Sequence, residues 1–145
     1  MREIEFRALT NSKVEVKGYY VYDEHLKLHY IDTGRGVMVE INPDTLGQYI
    51  GIKDVCKRKV FQGDIVKVRE IIYENCKRKK IDRIDEYIGE VVCHQYGWHI
   101  AEKLENGTRY HSLWLWNING ENDDTMEILG NRWDTPELLE REGFE

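Results

Sequence analysis

Proline and cysteine are scarce in this chain, and neither is arranged for chemistry. Two prolines stand in 145 residues, so few backbone positions are barred from a strand ladder. The three cysteines, Cys56, Cys76 and Cys93, are odd in number and far apart. No pair has CxxC spacing, which excludes a disulfide frame and points to reduced thiols. No apolar run approaches the ~18 residues that a membrane span needs. The opening Met1-Arg2-Glu3-Ile4-Glu5 carries no leader-like apolar stretch. Cytoplasmic location and no membrane contact are the expectation. Phosphate loops are lacking as well: Gly34-Arg35-Gly36 has neither the strand–loop–helix setting nor a following GKS or GKT. Internal repeats and low-complexity tracts are absent.

What is present is charge and aromatic mass. Charged residues make up 33% of the chain and hydrophobic residues 41%, with four tryptophans and nine tyrosines. That composition fits a soluble globular fold and argues against broad disorder. The length corresponds to one domain, residues 1–145, large enough to bury a core unaided. Net charge is −6 but uneven. Residues 121–145 hold nine acidic and two basic side chains, a net of −7, which leaves +1 for residues 1–120. A near-neutral body with an acidic tail exerts no global pull on nucleic acid or anionic lipid.

Period-two alternation dominates. Ile4, Phe6 and Ala8 alternate with Glu3, Glu5 and Arg7 in a first strand. Residues 14–22 form a second, where Gly18 marks a bulge or a close backbone approach. Strands follow near residues 26–30 and 37–41, separated by a turn at Thr33-Gly34-Arg35-Gly36. Asn42-Pro43-Asp44-Thr45-Leu46 reads as one helical turn near 43–46, capped by Asn42 and ended by Gly47. Strands are then expected near 48–50, 65–73 and 87–96. Between the last two lies a basic insertion, residues 74–86, which reads as an exposed loop, a projecting ribbon or a short helix. Thr135-Pro136-Glu137 opens a short C-terminal helix near 136–142.

The clearest hairpin spans residues 98–116. Asn106-Gly107 suits a two-residue turn with positive φ at both positions, which would set Leu104 against Arg109, Glu102 against His111 and Ile100 against Leu113. One face then carries Trp98, Ile100, Leu104, Leu113 and Leu115. The other carries Tyr110 and Trp114 with His99, Ala101, Lys103 and Ser112, and Trp116 continues its line. Both faces are too aromatic for one to lie in water, so a second layer or a partner covers the outer one.

Candidate chemistry is thin. His25 and His29 would lie roughly 13 Å apart along a strand, too far for a shared metal. Cys93 and His94 point to opposite faces. Glu102 beside His111 has the make-up of an acid–base pair, but no nucleophile accompanies it. Asp64 after Gly63 reads as a turn acceptor. No catalytic, metal-ligating or cofactor-binding residue is assigned, and no cofactor is expected. The basic clusters Lys57-Arg58-Lys59 and Lys77-Arg78-Lys79-Lys80 flank the strand near 65–73; on one rim, with Tyr73 or Tyr87, they would suit nucleic acid.

Three blocks together resemble the YopX family of phage and prophage proteins. They are Arg2-Glu3-Ile4-Glu5-Phe6-Arg7-Ala8, then Gly47-Gln48-Tyr49-Ile50-Gly51-Ile52-Lys53-Asp54 with Lys59-Val60-Phe61-Gln62-Gly63-Asp64-Ile65-Val66, then Met126-Glu127-Ile128-Leu129-Gly130-Asn131 with Asp134-Thr135-Pro136-Glu137-Leu138-Leu139. One departure follows Asp54: the family's Asn-Gly is replaced by Val55-Cys56-Lys57-Arg58, which leaves the tight-turn geometry open. The resemblance implies a mainly β fold with an SH3-like, partly open barrel and additional hairpins, assembled as an oligomer, and it implies no reaction. The expectation is therefore a non-enzymatic phage-type protein working through homo-oligomeric assembly and protein contact, with Tyr110, Trp114 and Trp116 as interface aromatics. The alternative is a nucleic-acid-binding module using loops 57–59 and 77–80.

Overall fold

The computed structural model describes residues 3–75, 77, 79–95, 97–113 and 124–139. Eleven strands and one short 3-10 helix account for the described elements: β1 (Phe6–Leu9), β2 (Glu15–Asp23), β3 (Leu28–Asp32), β4 (Met38–Glu40), β5 (Asn42–Lys53), β6 (Lys59–Phe61), β7 (Asp64–Tyr73), β8 (Ile81–His94), β9 (Gly97–Leu104), β10 (Gly107–Ser112), β11 (Thr125–Asn131) and the 3-10 turn Pro136–Leu139. The strands order into two open sheets, β4-β3-β2-β1-β5-β6 and β10-β9-β8-β7-β11. All the pairings described below are antiparallel, and neither sheet closes into a barrel. The fold is mainly β, as the alternation predicts. The chain clusters into two compact units, residues 1–51 and 52–145, which divide inside β5.

In the first unit, alternation puts Phe6, Ala8, Val16, Tyr20 and Ile31 on one face. There they pack with Ile41 and Leu46 around a fully buried Ala8 and Ile31. Gly18 stands opposite Phe6. A Cβ on it would lie 2.1 Å from the Asp32 carbonyl oxygen, so β3 approaches β2 through the missing side chain. The close-approach reading of Gly18 is thus the right one.

Residues 43–46 are not a helical turn; they lie within β5. β1 pairs with β5 on both sides of them, Leu9 with Asn42 and Arg7 with Gly47, so three extra residues bulge from β5. The capping groups are satisfied locally instead. Thr45 Oγ1 accepts the Leu9 N–H at 2.8 Å and donates to the Asn42 carbonyl at 2.7 Å, while Asn42 Oδ1 accepts the Asp44 N–H at 3.0 Å. The cap-like polar groups bond to the local backbone, but the neighbouring strand decides that backbone's conformation.

In the second unit, Val66, Val68, Val91, Ile100, Leu113 and Met126 are buried from solvent. The insertion at 74–86 is a ribbon: β7 and β8 stay paired out to Tyr73 opposite Ile81. Gly63 takes a φ of +96° between β6 and β7, and a Cβ there would press 2.5 Å from the Trp133 ring. Asp64 is buried and accepts the Phe61 N–H at 2.8 Å, the turn-acceptor role its position suggests.

The β9–β10 hairpin forms, but its register differs from the expected one. Gly107 pairs with Leu104 and His111 with Ile100, so Glu105 and Asn106 make the turn and the register slides by two residues. Neither Asn106 nor Gly107 has a positive φ. Because the slide is even, every side chain keeps its expected face. Helical structure at the C-terminal side is a single 3-10 turn over Pro136–Leu139 rather than an α-helix; residues 140–142 of the expected helix lie outside the described residues.

Candidate functional site

Four places gather chemistry-bearing residues. The first is the turn between β5 and β6. Neither Asn nor Gly stands in Val55-Cys56-Lys57-Arg58, yet the turn is tight: Asp54 N–H donates to the Arg58 carbonyl at 2.8 Å and Lys57 N–H to the Asp54 carbonyl at 2.9 Å. Lys57 takes the left-handed position itself, at φ +65°, where a glycine is favoured in a three-residue hairpin loop. The Asp54 carboxylate is 0% exposed and paired with Arg58 at 2.9 Å. It also accepts N–H groups from Cys56 at 3.0 Å, Arg58 at 2.8 Å and Ile128 at 3.1 Å. Burial raises this carboxyl, but the backbone donors of Arg58 and Ile128 and the Arg58 guanidinium outweigh it and hold it below the usual aspartate value. Arg58 in turn donates to the Ile128 carbonyl at 2.8 Å, and Val55 N–H to the Met126 carbonyl at 2.8 Å. The turn therefore clasps the outer edge of β11.

The second place is the basic material. Lys57 is exposed on that turn, Arg58 is engaged by Asp54, and Lys59 opens β6. Lys77, Lys79 and Lys80 lie in the turn at the far end of the β7–β8 ribbon, with Lys80 paired to Glu74 at 3.6 Å. Arg78 is outside the described residues. Ile128, which Arg58 holds, pairs with Val66. Tyr73 is seven residues further along β7, roughly 23 Å at strand rise. The two clusters thus sit at opposite ends of β7. Between them the ribbon alternates sign: Lys67 meets Glu86 at 3.2 Å, and Arg83 meets Asp82 and Asp85 at 3.3 Å each.

Third is a polar network on the buried face of the second sheet. His111 Nε2 lies 2.9 Å from Glu102 Oε1. The pair expected from the hairpin forms, but diagonally rather than face to face. The His111 ring stacks on Tyr87 at 3.8 Å, and the Tyr87 hydroxyl donates to Glu70 at 2.9 Å. Burial, followed by the charge of Glu70 and its hydrogen bond, pushes the Tyr87 phenol far above its usual value. Glu70 and Tyr87 gave no local sequence signal, because the register that joins them to β9 and β10 is long-range. This network reads as an anchor of β10 to the sheet.

Fourth are the outer faces. On the second sheet, Glu90, Ala101 and Tyr110 stand in one row across β8, β9 and β10. They line a groove of about 280 Å³ together with His94, Lys103, Thr108 and Leu139. The 3-10 turn thus partly covers the face that sequence reasoning left to a second layer or a partner. Tyr110 stacks on His94 at 3.7 Å with ring planes 3° apart, and His99 meets His94 edge-on. Glu90 accepts from Arg132 at 3.2 Å; burial raises its carboxyl against the lowering pull of Arg132 and Lys103. Arg132 is 42 residues away in sequence, so no local pattern announces that pair. Trp114 and Trp116 lie outside the described residues. On the first sheet, Tyr19, Asp32 and Met38 form a row on the outer face. Tyr19 is 61% exposed, Met38 44%, and neighbouring Val37 53%.

Among the described residues, no group of three or more His, Cys, Asp or Glu side chains is placed to hold a metal ion. His29 instead bonds the Tyr20 hydroxyl through Nδ1, and His25 sits on an exposed turn. No helix of the described residues is long and apolar enough to cross a membrane.

These elements define a two-sheet antiparallel β protein with a clasped edge strand. The YopX protein family model matches residues 3–140, and the chain belongs to that family. No curated protein matches it. The crystal structure of protein EF1440 from Enterococcus faecalis is similar over 96% of this chain and 99% of its own, with 18% identity and a TM-score of 0.44.

Proposed function

We propose that this YopX-family chain is a phage-type protein that acts without catalysing a reaction, through homo-oligomeric assembly and contact with protein partners. The observation that carries this reading is the exposed apolar surface on the first sheet: Tyr19 and Met38 stand on one face on either side of Asp32, and Val37, next to Met38, is exposed as well. Single exposed apolar groups are ordinary, but several close together among polar residues suit a surface that another protein covers. The Glu102–His111 pair supports a structural role, since His111 is stacked on Tyr87 and the pair does not line the groove on the outer face of the second sheet. Sedimentation velocity over a wide concentration range tests the proposal. A mass above the monomer that falls in a Tyr19→Glu, Met38→Glu variant is the expected result; a strict monomer at high concentration would sink it.

The nucleic-acid reading is second. It is favoured by Lys77, Lys79 and Lys80 on one exposed ribbon turn. Fluorescence anisotropy of labelled DNA and RNA should then show binding that weakens steeply with salt and disappears when these lysines become glutamates.

A further inference from the structure

Asn106 differs from the other described asparagines. Asn42, Asn75 and Asn131 each accept a backbone N–H from two residues on, those of Asp44, Lys77 and Trp133. Such a bond holds the side chain on its own turn. Asn11 is exposed, but the side chain of Ser12 follows it. Asn106 is exposed at the tip of the β9–β10 hairpin, and no hydrogen bond to the described residues holds its side chain. Gly107 follows it and opens β10, the edge strand of its sheet. A Cβ on Gly107 would meet open space, so the peptide between the two residues is clear on that side. The turn backbone adds a second observation. Two-residue hairpin loops favour positive φ at their first position, because that twist matches the flanking strands. Neither Glu105 nor Asn106 has one. The turn therefore splays the strands at its mouth, where Leu104 pairs with Gly107. Opening at such a strand end costs little, and it frees the Gly107 N–H and the Asn106 torsions together.

We infer that Asn106-Gly107 is a site of spontaneous modification, at which Asn106 cyclises and becomes aspartate or isoaspartate. The Gly107 backbone nitrogen, its proton taken by hydroxide, attacks Asn106 Cγ. A new N–Cγ bond forms, the Cγ–Nδ2 bond breaks, and Nδ2 leaves as ammonia. Glycine suits the step, because no side chain shields the nucleophile and its φ is free. Water then opens the ring at either carbonyl. Opening at Cγ restores the peptide and leaves aspartate; opening at the backbone carbonyl leaves the main chain running through Cβ and Cγ. One water is consumed and one ammonia released, with no oxidation. Either product adds a carboxylate beside Glu105, and isoaspartate lengthens the main chain by one carbon within a two-residue turn. The inference is independent of assembly through the first sheet.

Ageing the full chain in warm, mildly alkaline buffer, followed by peptide mass spectrometry, tests this. The peptide holding Asn106 should gain the mass of an amide-to-acid exchange, in two chromatographic isomers, ahead of the peptides holding Asn11, Asn42, Asn75 and Asn131. Folded chain should convert no more than about tenfold more slowly than chain unfolded in urea, a barrier difference of about 1.4 kcal/mol. Gly107→Ala should slow conversion of the folded chain by on the order of tenfold, and Asn106→Gln should abolish it. An alanine at 107 meets no atom within 4 Å and needs no positive φ, and an unchanged circular dichroism spectrum shows that both variants fold. An Asn106 left intact in folded chain after unfolded chain has converted, conversion led by another described asparagine, or a wild-type rate in Gly107→Ala would overturn the inference.

Discussion

Asp54 concentrates several interactions on one buried side chain. Its two oxygens serve three backbone N–H groups and the Arg58 guanidinium. Asp54→Ala removes all four contacts, and the expected cost is about 2–4 kcal/mol. For a chain of this size that lowers the melting temperature by roughly 5–15 °C, readable by differential scanning calorimetry. The pH dependence has a definite sign. The carboxyl is depressed from 3.8 in the folded chain, so the unfolded chain binds its proton more readily. The stability it supplies is fully present above pH 3.8 and is lost as pH falls through the folded value. Acid titration of Asp54→Asn should lack that final loss. Lys57 is the opposite case, an exposed residue at φ +65°, a conformation that strains a side chain with a Cβ. Lys57→Gly relieves the strain at some entropic cost, and a gain of about 0.5–1 kcal/mol in chemical denaturation is expected.

At the scale of elements, side-chain periodicity carried the most information. Alternation over residues 98–113 placed Ile100, Glu102 and Leu113 on the buried face, and they are there. Register was harder, because Asn106-Gly107 promises a turn that the sheet declines: β9 is held to β8, and His111 to Glu102 and Tyr87, and this docking selects a turn one residue closer to β9, which slides the register by two. The helical turn near 43–46 fails for the same reason, since β1 pairs on both sides of it. Local signals thus reported face and polarity, while partners far along the chain set register and backbone. The groove was half legible: Tyr110, His99 and Lys103 were placed together, whereas Glu90 and Arg132 join them only through tertiary packing. Two predictions belong to this scale. Gly63→Ala forces a Cβ against Trp133 at an already unfavourable φ, and should destabilise by about 2–4 kcal/mol in urea melts. Glu90 binds its proton more tightly folded than unfolded. Its contribution is therefore favourable below pH 4.5 and is lost as pH rises through the folded value. Glu90→Gln should flatten the stability profile from pH 4.5 towards neutrality.

For the whole molecule, the charge distribution separates two ways of assembling. A tail of net −7 on a body of +1 would hold copies together by charge, and that attraction fades as the screening length falls to ~3 Å at 1 M salt. An interface built on Tyr19 and Met38 persists there. Sedimentation velocity at low and at ~1 M salt should give the same mass if the apolar surface carries the assembly. Dissociation at high salt would move the contact to the charged segments.

The clasp on β11 also bears on how the protein is made. Asp54 and Arg58 reach their partner at Ile128 only across 74 and 70 residues, and β7 pairs with β11 across a gap only slightly shorter. A ribosome adding about 5–20 residues per second leaves that stretch incomplete for several seconds. Throughout that interval Ile65, Val66 and Val68 present an unfilled strand edge to the cell, so nascent chains stalled before Thr125 are the form of this protein that chaperones should capture.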